Sequence, residues 1–220
     1  MFKCAIFDLD GTLADTMDDL MTAMNSMLGS FGYPTRTREE LTGFINKGAR
    51  KFVWQSLPDG AASNPDDELV TMALRVYSDF YAECYADKTH PYENITDALA
   101  ELKAAGVRLG VLSNKQDRFV KDIVYKLFPG IFESVHGHLD LPEKPDPAAA
   151  LFVASELGAD PAECVFIGDS DIDMRTGLNA GMVPVGVTWG YRSRECLINA
   201  GAAFTVDTAL ELCERILNDK

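Results

Sequence analysis

The chain has 220 residues, 47% of them hydrophobic and 25% charged, enough to bury one large α/β core or a core with a small inserted domain. Its 34 acidic against 20 basic residues leave a net charge of −14, which argues against nucleic acid or an anionic membrane as partner and requires local cations to draw in any anionic ligand. Five cysteines without a Cys-x-x-Cys pair, two of them (Cys4, Cys164) in strand-like runs, read as thiols in a reducing cytoplasm.

The first apolar run, Cys4-Ala5-Ile6-Phe7, reads as a buried strand that ends at Asp8-Leu9-Asp10-Gly11-Thr12-Leu13. Residues two apart on a strand project to one face, so Asp8 and Asp10 present two carboxylates together. Such a pair repels unless a cation sits between its members, and Gly11 lets the backbone approach a ligand closely. An ordinary strand followed by an Asp-Gly turn is the simpler alternative for the pair taken alone.

From residue 15 to 87 the pattern is helical. Met17, Leu20, Met21, Met24, Met27 and Leu28 recur at spacings of three and four, one face of a helix ending near Gly32, and core packing is preferred to a pliable binding surface. Thr37-Arg38-Glu39-Glu40 has capping-box form, and Asn64-Pro65 supplies an N-cap and first-turn proline for a helix through Tyr85. Asp66, Asp67 and Glu68 then lie at that helix's positive end.

After His90-Pro91 strands and helices alternate. A helix over residues 94–105 leads into the strand Val107–Leu112, followed by a helix over 117–128, a strand over 132–135, a helix over 147–157, the strand Cys164–Ile167, a helix to about Ala180, strands over 183–187 and 203–206, and a last helix over 208–217. Alternation of this kind predicts a parallel sheet covered on both faces, with ligands at the carboxyl ends of the strands. No run of 18 apolar residues exists and the N-terminus reads as a core strand, so neither a transmembrane helix nor a signal peptide is expected.

Three further segments follow strands: Ser113-Asn114-Lys115, Glu143-Lys144-Pro145-Asp146-Pro147, and Gly168-Asp169-Ser170-Asp171-Ile172-Asp173. Each alone is weak loop chemistry. In this order, with the first segment, they resemble the four signatures of the haloacid dehalogenase superfamily, most of whose members are magnesium-dependent phosphatases. The resemblance runs from Met1 to about Leu212, and the Ser113, Asp169 and Trp189-Gly190-Tyr191-Arg192 segments are similar to the phosphoglycolate phosphatase branch.

The resemblance implies an α/β fold: a Rossmann-like parallel-sheet core domain (residues 1–14 and 88–220) with a small inserted all-helical cap domain (residues 15–87) that closes over the site. It implies hydrolysis of a small phosphorylated metabolite through an aspartyl-phosphate, with Asp8 as nucleophile, Asp10 as general acid and base, and Lys144 as a fixed cation beside them. Mg²⁺ would be held by Asp8, the Asp10 carbonyl and Asp169, with Asp173 supporting its waters. Gly11, Thr12, Ser113 and Asn114 would bind the phosphoryl oxygens. An acid at position 10 argues against C–Cl or C–P cleavage.

Some positions stay open. Lys47 and Arg50, in the stretch Gly43–Arg50, either share a helix face that binds a second anionic group of the substrate or are solvated at a helix start. Arg192 faces the substrate or lies in a solvated loop. His136 and His138 read as an exposed strand end in preference to a zinc site, and Asp171 as a helix N-terminal acid. A β-phosphoglucomutase-type sugar-phosphate mutase shares Asp8 and Asp10, whereas a catalytically silent binding protein would have lost Asp8, Lys144 or Asp169. Monomer and homodimer are both compatible.

Overall fold

The computed structural model describes residues 2–218. It divides into two compact units, one made of the chain up to Asp15 and from Pro91 onward, the other of Thr16–His90. Two-residue strands, Ala14–Asp15 (β2) and His90–Pro91 (β3), mark the two points where the chain passes between the units.

The α/β unit is built on a six-stranded, wholly parallel sheet. Cys4–Phe7 (β1) lies at its centre, flanked by Arg108–Gln116 (β4) and Cys164–Gly168 (β6). Ser134–His138 (β5) lies outside β4, and Val183–Val187 (β7) and Phe204–Val206 (β8) lie outside β6. Every residue of β1 is fully buried, as a near-continuous apolar strand covered on both faces should be. Each large side chain so buried contributes about 1.5–3 kcal/mol.

Register decides where the chemistry lies. Phe7 stands beside Val111 on one side and Ile167 on the other, so Asp8 after β1, Asp169 after β6 and Ser113 in the last part of β4 come to one carboxyl edge of the sheet. The helices Ile95–Ala104 (α5), Asp117–Leu127 (α6), Ala148–Glu156 (α7), Asp171–Asn179 (α8), Arg194–Asn199 (α9) and Ala209–Asn218 (α10) complete the unit. Ala149, Ala150, Val153 and Ala154 of α7 pack with Ile6 and Phe166 in one cluster.

The helical unit contains Met17–Ser30 (α1), Arg38–Phe44 (α2), Ala49–Ser56 (α3) and Glu68–Cys84 (α4). The α1 stripe is core: Met17, Leu20, Met24, Met27 and Leu28 are buried, and α1 packs along α4. Thr37 and Glu40 form the capping box in both directions.

Several boundaries differ from expectation. The Asn64-Pro65 start falls three residues early, because Asn64 Oδ1 accepts the Asp66 amide in a turn and Asp67 caps α4 through the Leu69 amide. Strand β4 does not stop at Leu112 but continues to Gln116 past a register shift, so Ser113-Asn114-Lys115 lies within the strand. Helix α9, six residues capped by Ser193, was not foreseen, being too short to show a hydrophobic period. Among the described residues no helix is long and apolar enough to cross a membrane.

Candidate active site

At the carboxyl edge of β1, β4 and β6, Asp8, Asp169 and Asp173 place one carboxylate oxygen each within 4.8 Å of the others. All three are buried, Asp169 and Asp173 completely. Lys144 lies among them, its Nζ 2.9 Å from Asp8 Oδ1 and 2.7 Å from Asp173 Oδ1. Two buried acids face this one lysine, and the third, Asp169, feels the charge of Arg192 but is dominated by its burial. Burial above all, reinforced by Asp173 and Asp10 and opposed by Lys144, pushes the Asp8 carboxyl up to about 7. Asp169 is raised well above the ordinary range by burial, Asp173 and Asp8. Burial works against the Lys144 charge, but Asp173 and Asp8 outweigh it and hold the ammonium above its usual value.

Local structure fixes each acid. Asp173 is the third residue of α8, and its Oδ2 accepts from the Ser170 amide at 3.1 Å and the Ser170 hydroxyl at 2.5 Å, a capping box that ties it to the helix start. Asp169 Oδ2 accepts the Tyr191 amide at 2.7 Å and its Oδ1 the Thr12 hydroxyl at 3.2 Å. Space for these acids is made by absent side chains. A Cβ on Gly168 would overlap that of Asp173, and one on Gly11, whose φ is +87°, would come within 2.5 Å of Asp169 Oδ2.

These residues fit a hard divalent cation. Asp8 Oδ1 is buried without a hydrogen-bond donor, since its approach to Lys144 lacks hydrogen-bond geometry. Three buried carboxylates that meet a single ammonium are a donor set that an oxygen-ligated cation satisfies.

The other residues singled out from sequence divide into two groups. Asp10, Gly11, Ser113 and Asn114 lie in this unit, and Asp10 and Ser113 are buried. Thr12 is fully buried with its hydroxyl on Asp169, and the Asn114 amide is clasped to the Lys144 backbone, donating to its carbonyl at 3.1 Å and accepting its amide at 2.9 Å. Both side chains therefore hold other site residues, which differs from the phosphoryl contact that the resemblance implies. Lys47 and Arg50 lie in the helical unit. They do not share a helix face, because α3 begins at Ala49 behind Gly48. Arg50 donates to the Pro65 carbonyl and the Thr71 hydroxyl.

Lys115, for which residue pattern alone indicates no role, pairs its Nζ with Asp10 Oδ1, both side chains being at most 10% exposed. The Trp189 segment is likewise a brace: Trp189 Nε1 donates to the Thr12 carbonyl at 3.0 Å. Arg192 exerts its charge on Asp169. His136 is not an exposed strand end, since its Nε2 lies 2.6 Å from Glu156 Oε2 and its ring packs edge-on against Phe152. Asp171 opens α8 and pairs with Arg175.

Residues 5–187 match the haloacid dehalogenase-like hydrolase family. The chain is 37% identical to the phosphoglycolate phosphatase of Psychrobacter arcticus over 84% of its own length and 83% of that protein's. It is 31% identical to the phosphoglycolate phosphatase of Vibrio vulnificus over 98% and 96%. A crystal structure from Lactobacillus delbrueckii subsp. bulgaricus, provisionally named phosphoglycolate phosphatase, superposes with a TM-score of 0.92 at 33% identity and covers 99% of both chains.

A parallel sheet with this acidic and lysine cluster at its carboxyl edge, matched over most of its length, defines the class: the chain belongs to the haloacid dehalogenase-like hydrolases. Within them it is phosphoglycolate phosphatase-like in sequence and structure, a phosphoric monoester hydrolase.

Proposed function

We propose that the protein hydrolyses a small phosphorylated metabolite of the phosphoglycolate kind, with Mg²⁺, through a phosphoryl group carried on Asp8. The observation that carries this reading is Asp8 itself: a buried carboxylate at a strand end, its Oδ1 2.9 Å from the Lys144 ammonium, with Asp169 and Asp173 crowded against it. The names of the relatives supply the substrate class.

Asp8 attacks phosphorus, forming the Asp8–phosphoryl bond while the bond to the leaving oxygen breaks. Asp10 gives a proton to that oxygen and then takes one from the water that attacks the phosphoryl group, returning Asp8 to a free carboxylate. A carboxylate meeting a phosphate at 4 Å is opposed by about 4 kcal/mol per pair of unit charges at an effective dielectric near 20. Lys144, held on Asp8 and Asp173, offsets part of this. The Gly11 backbone and the Ser113 hydroxyl bind phosphoryl oxygens as charge shifts. Asp8, the Asp10 carbonyl and Asp169 would hold Mg²⁺, with Asp173 behind them. Its chemistry there is to neutralise these acids and the phosphate together. Residues 15–87 act as the cap, and Lys47 and Arg50 are its candidate cations for substrate.

Purified protein assayed with p-nitrophenyl phosphate and phosphoglycolate tests the reading. Hydrolysis should need Mg²⁺ and stop on chelation; full activity in excess chelator would refute it.

A further inference from the structure

The −14 chain has a second lysine at its reactive edge. Ser113, Asn114 and Lys115 lie in the last part of β4, where its pairing with β5 shifts register between Leu112 and Gln116, and each meets a different part of the site. Asn114 clasps the Lys144 backbone, and the Ser113 hydroxyl accepts the Lys115 amide at 3.3 Å. The Lys115 side chain crosses to β1 and ends on Asp10. Lys144 is shared between Asp8 and Asp173. Lys115 meets the acid that must face the leaving part of a substrate.

We propose that Lys115 is a specificity-determining residue: its ammonium exchanges the Asp10 carboxylate for a carboxylate on the leaving part of the substrate. The proposal rests on the phosphatase reading above and names the feature by which substrate is chosen. A carboxylate is the fitting partner because it replaces Asp10 at Lys115 charge for charge. A second phosphate would bring an extra negative charge to a site already crowded with buried acids. On Asp10 the Lys115 ammonium offsets that carboxylate's charge beside Asp8. A lysine stem is long enough to move its charge between neighbouring partners without moving the backbone.

The test compares phosphoglycolate with 2-hydroxyethyl phosphate, which replaces the carboxylate by a neutral hydroxymethyl group, in wild type, Lys115→Met and Lys115→Arg. p-Nitrophenyl phosphate serves as a control. Wild type should favour phosphoglycolate in kcat/KM by about 10- to 100-fold, the scale of one charge-assisted contact. Lys115→Met should bring the two substrates close to parity, chiefly by raising KM for phosphoglycolate, and Lys115→Arg should keep most of the preference. Equal losses on both substrates, or no change on either, would overturn the proposal. Should Lys115→Met fail to fold, a wild type without preference, or Lys115→Arg at parity, would overturn it as well. If wild type hydrolyses none of the three esters, the phosphatase reading itself fails, an outcome distinct from loss of preference alone.

Discussion

Asn114 and Lys144 hold each other through two hydrogen bonds, amide to carbonyl at 3.1 Å and backbone amide to side-chain oxygen at 2.9 Å. The side chain on β4 thereby fixes the backbone from which Lys144 reaches Asp8 and Asp173. Asn114→Ala should leave Lys144 in place chemically but loosely aimed. We expect kcat to fall by about 100-fold, the scale of a misplacement near 1 Å, with a smaller change in KM. Steady-state kinetics on an aryl phosphate checks this.

The buried acids make the metal-free protein sensitive to pH. The Asp8 pKa is raised on folding from 3.8 to about 7, so the folded state holds a proton that the unfolded chain releases. Stability from this group is present below the unfolded value and is lost as pH rises through the folded one. Asp169 shifts in the same direction. Lowered carboxylates such as Glu156, bonded to Ser134 and His136, act only at the acid end. In chelator, Tm should therefore fall between about pH 5.5 and pH 8, and Mg²⁺ should raise it more at the higher pH. Asp8→Asn should flatten the chelator curve. Thermal melts with and without Mg²⁺ read all three outcomes.

Gly168→Ala tests the close packing behind the acids. The added Cβ meets Asp173 at its Cβ, inside a helix cap that cannot yield cheaply. A loss of about 1–3 kcal/mol is expected, as for overpacking elsewhere, together with reduced activity as Asp173 is displaced from Lys144. Denaturant unfolding and kinetics on the same preparation measure both.

Much of this was legible in the sequence because it rests on short-range pattern. Alternating apolar runs point to the parallel sheet, and three acid- or lysine-bearing segments after strands hold the cluster of Asp8, Lys144, Asp169 and Asp173. What escaped depends on contacts between distant segments. Thr12 and Asn114 carry polar groups that suit a phosphate equally well, and only the fold shows them turned to Asp169 and Lys144. Lys115 was hidden because the end of β4 could not be seen past Leu112. Tyr191 serves through its backbone amide, which no residue type reveals. Lys47 and Arg50 were aligned on a helix that begins two residues after Lys47.

The nucleophile can be read directly by acid-quenching the Asp10→Asn variant after one turnover of an aryl phosphate with Mg²⁺ and mapping the digested protein by tandem mass spectrometry. Without its acid–base residue the protein should release the activated phenol but hydrolyse the acyl-phosphate slowly. One phosphoryl group should then be found on Asp8. Release of phenol with Asp8 unmodified, or with the phosphoryl group on another residue, would contradict the assignment.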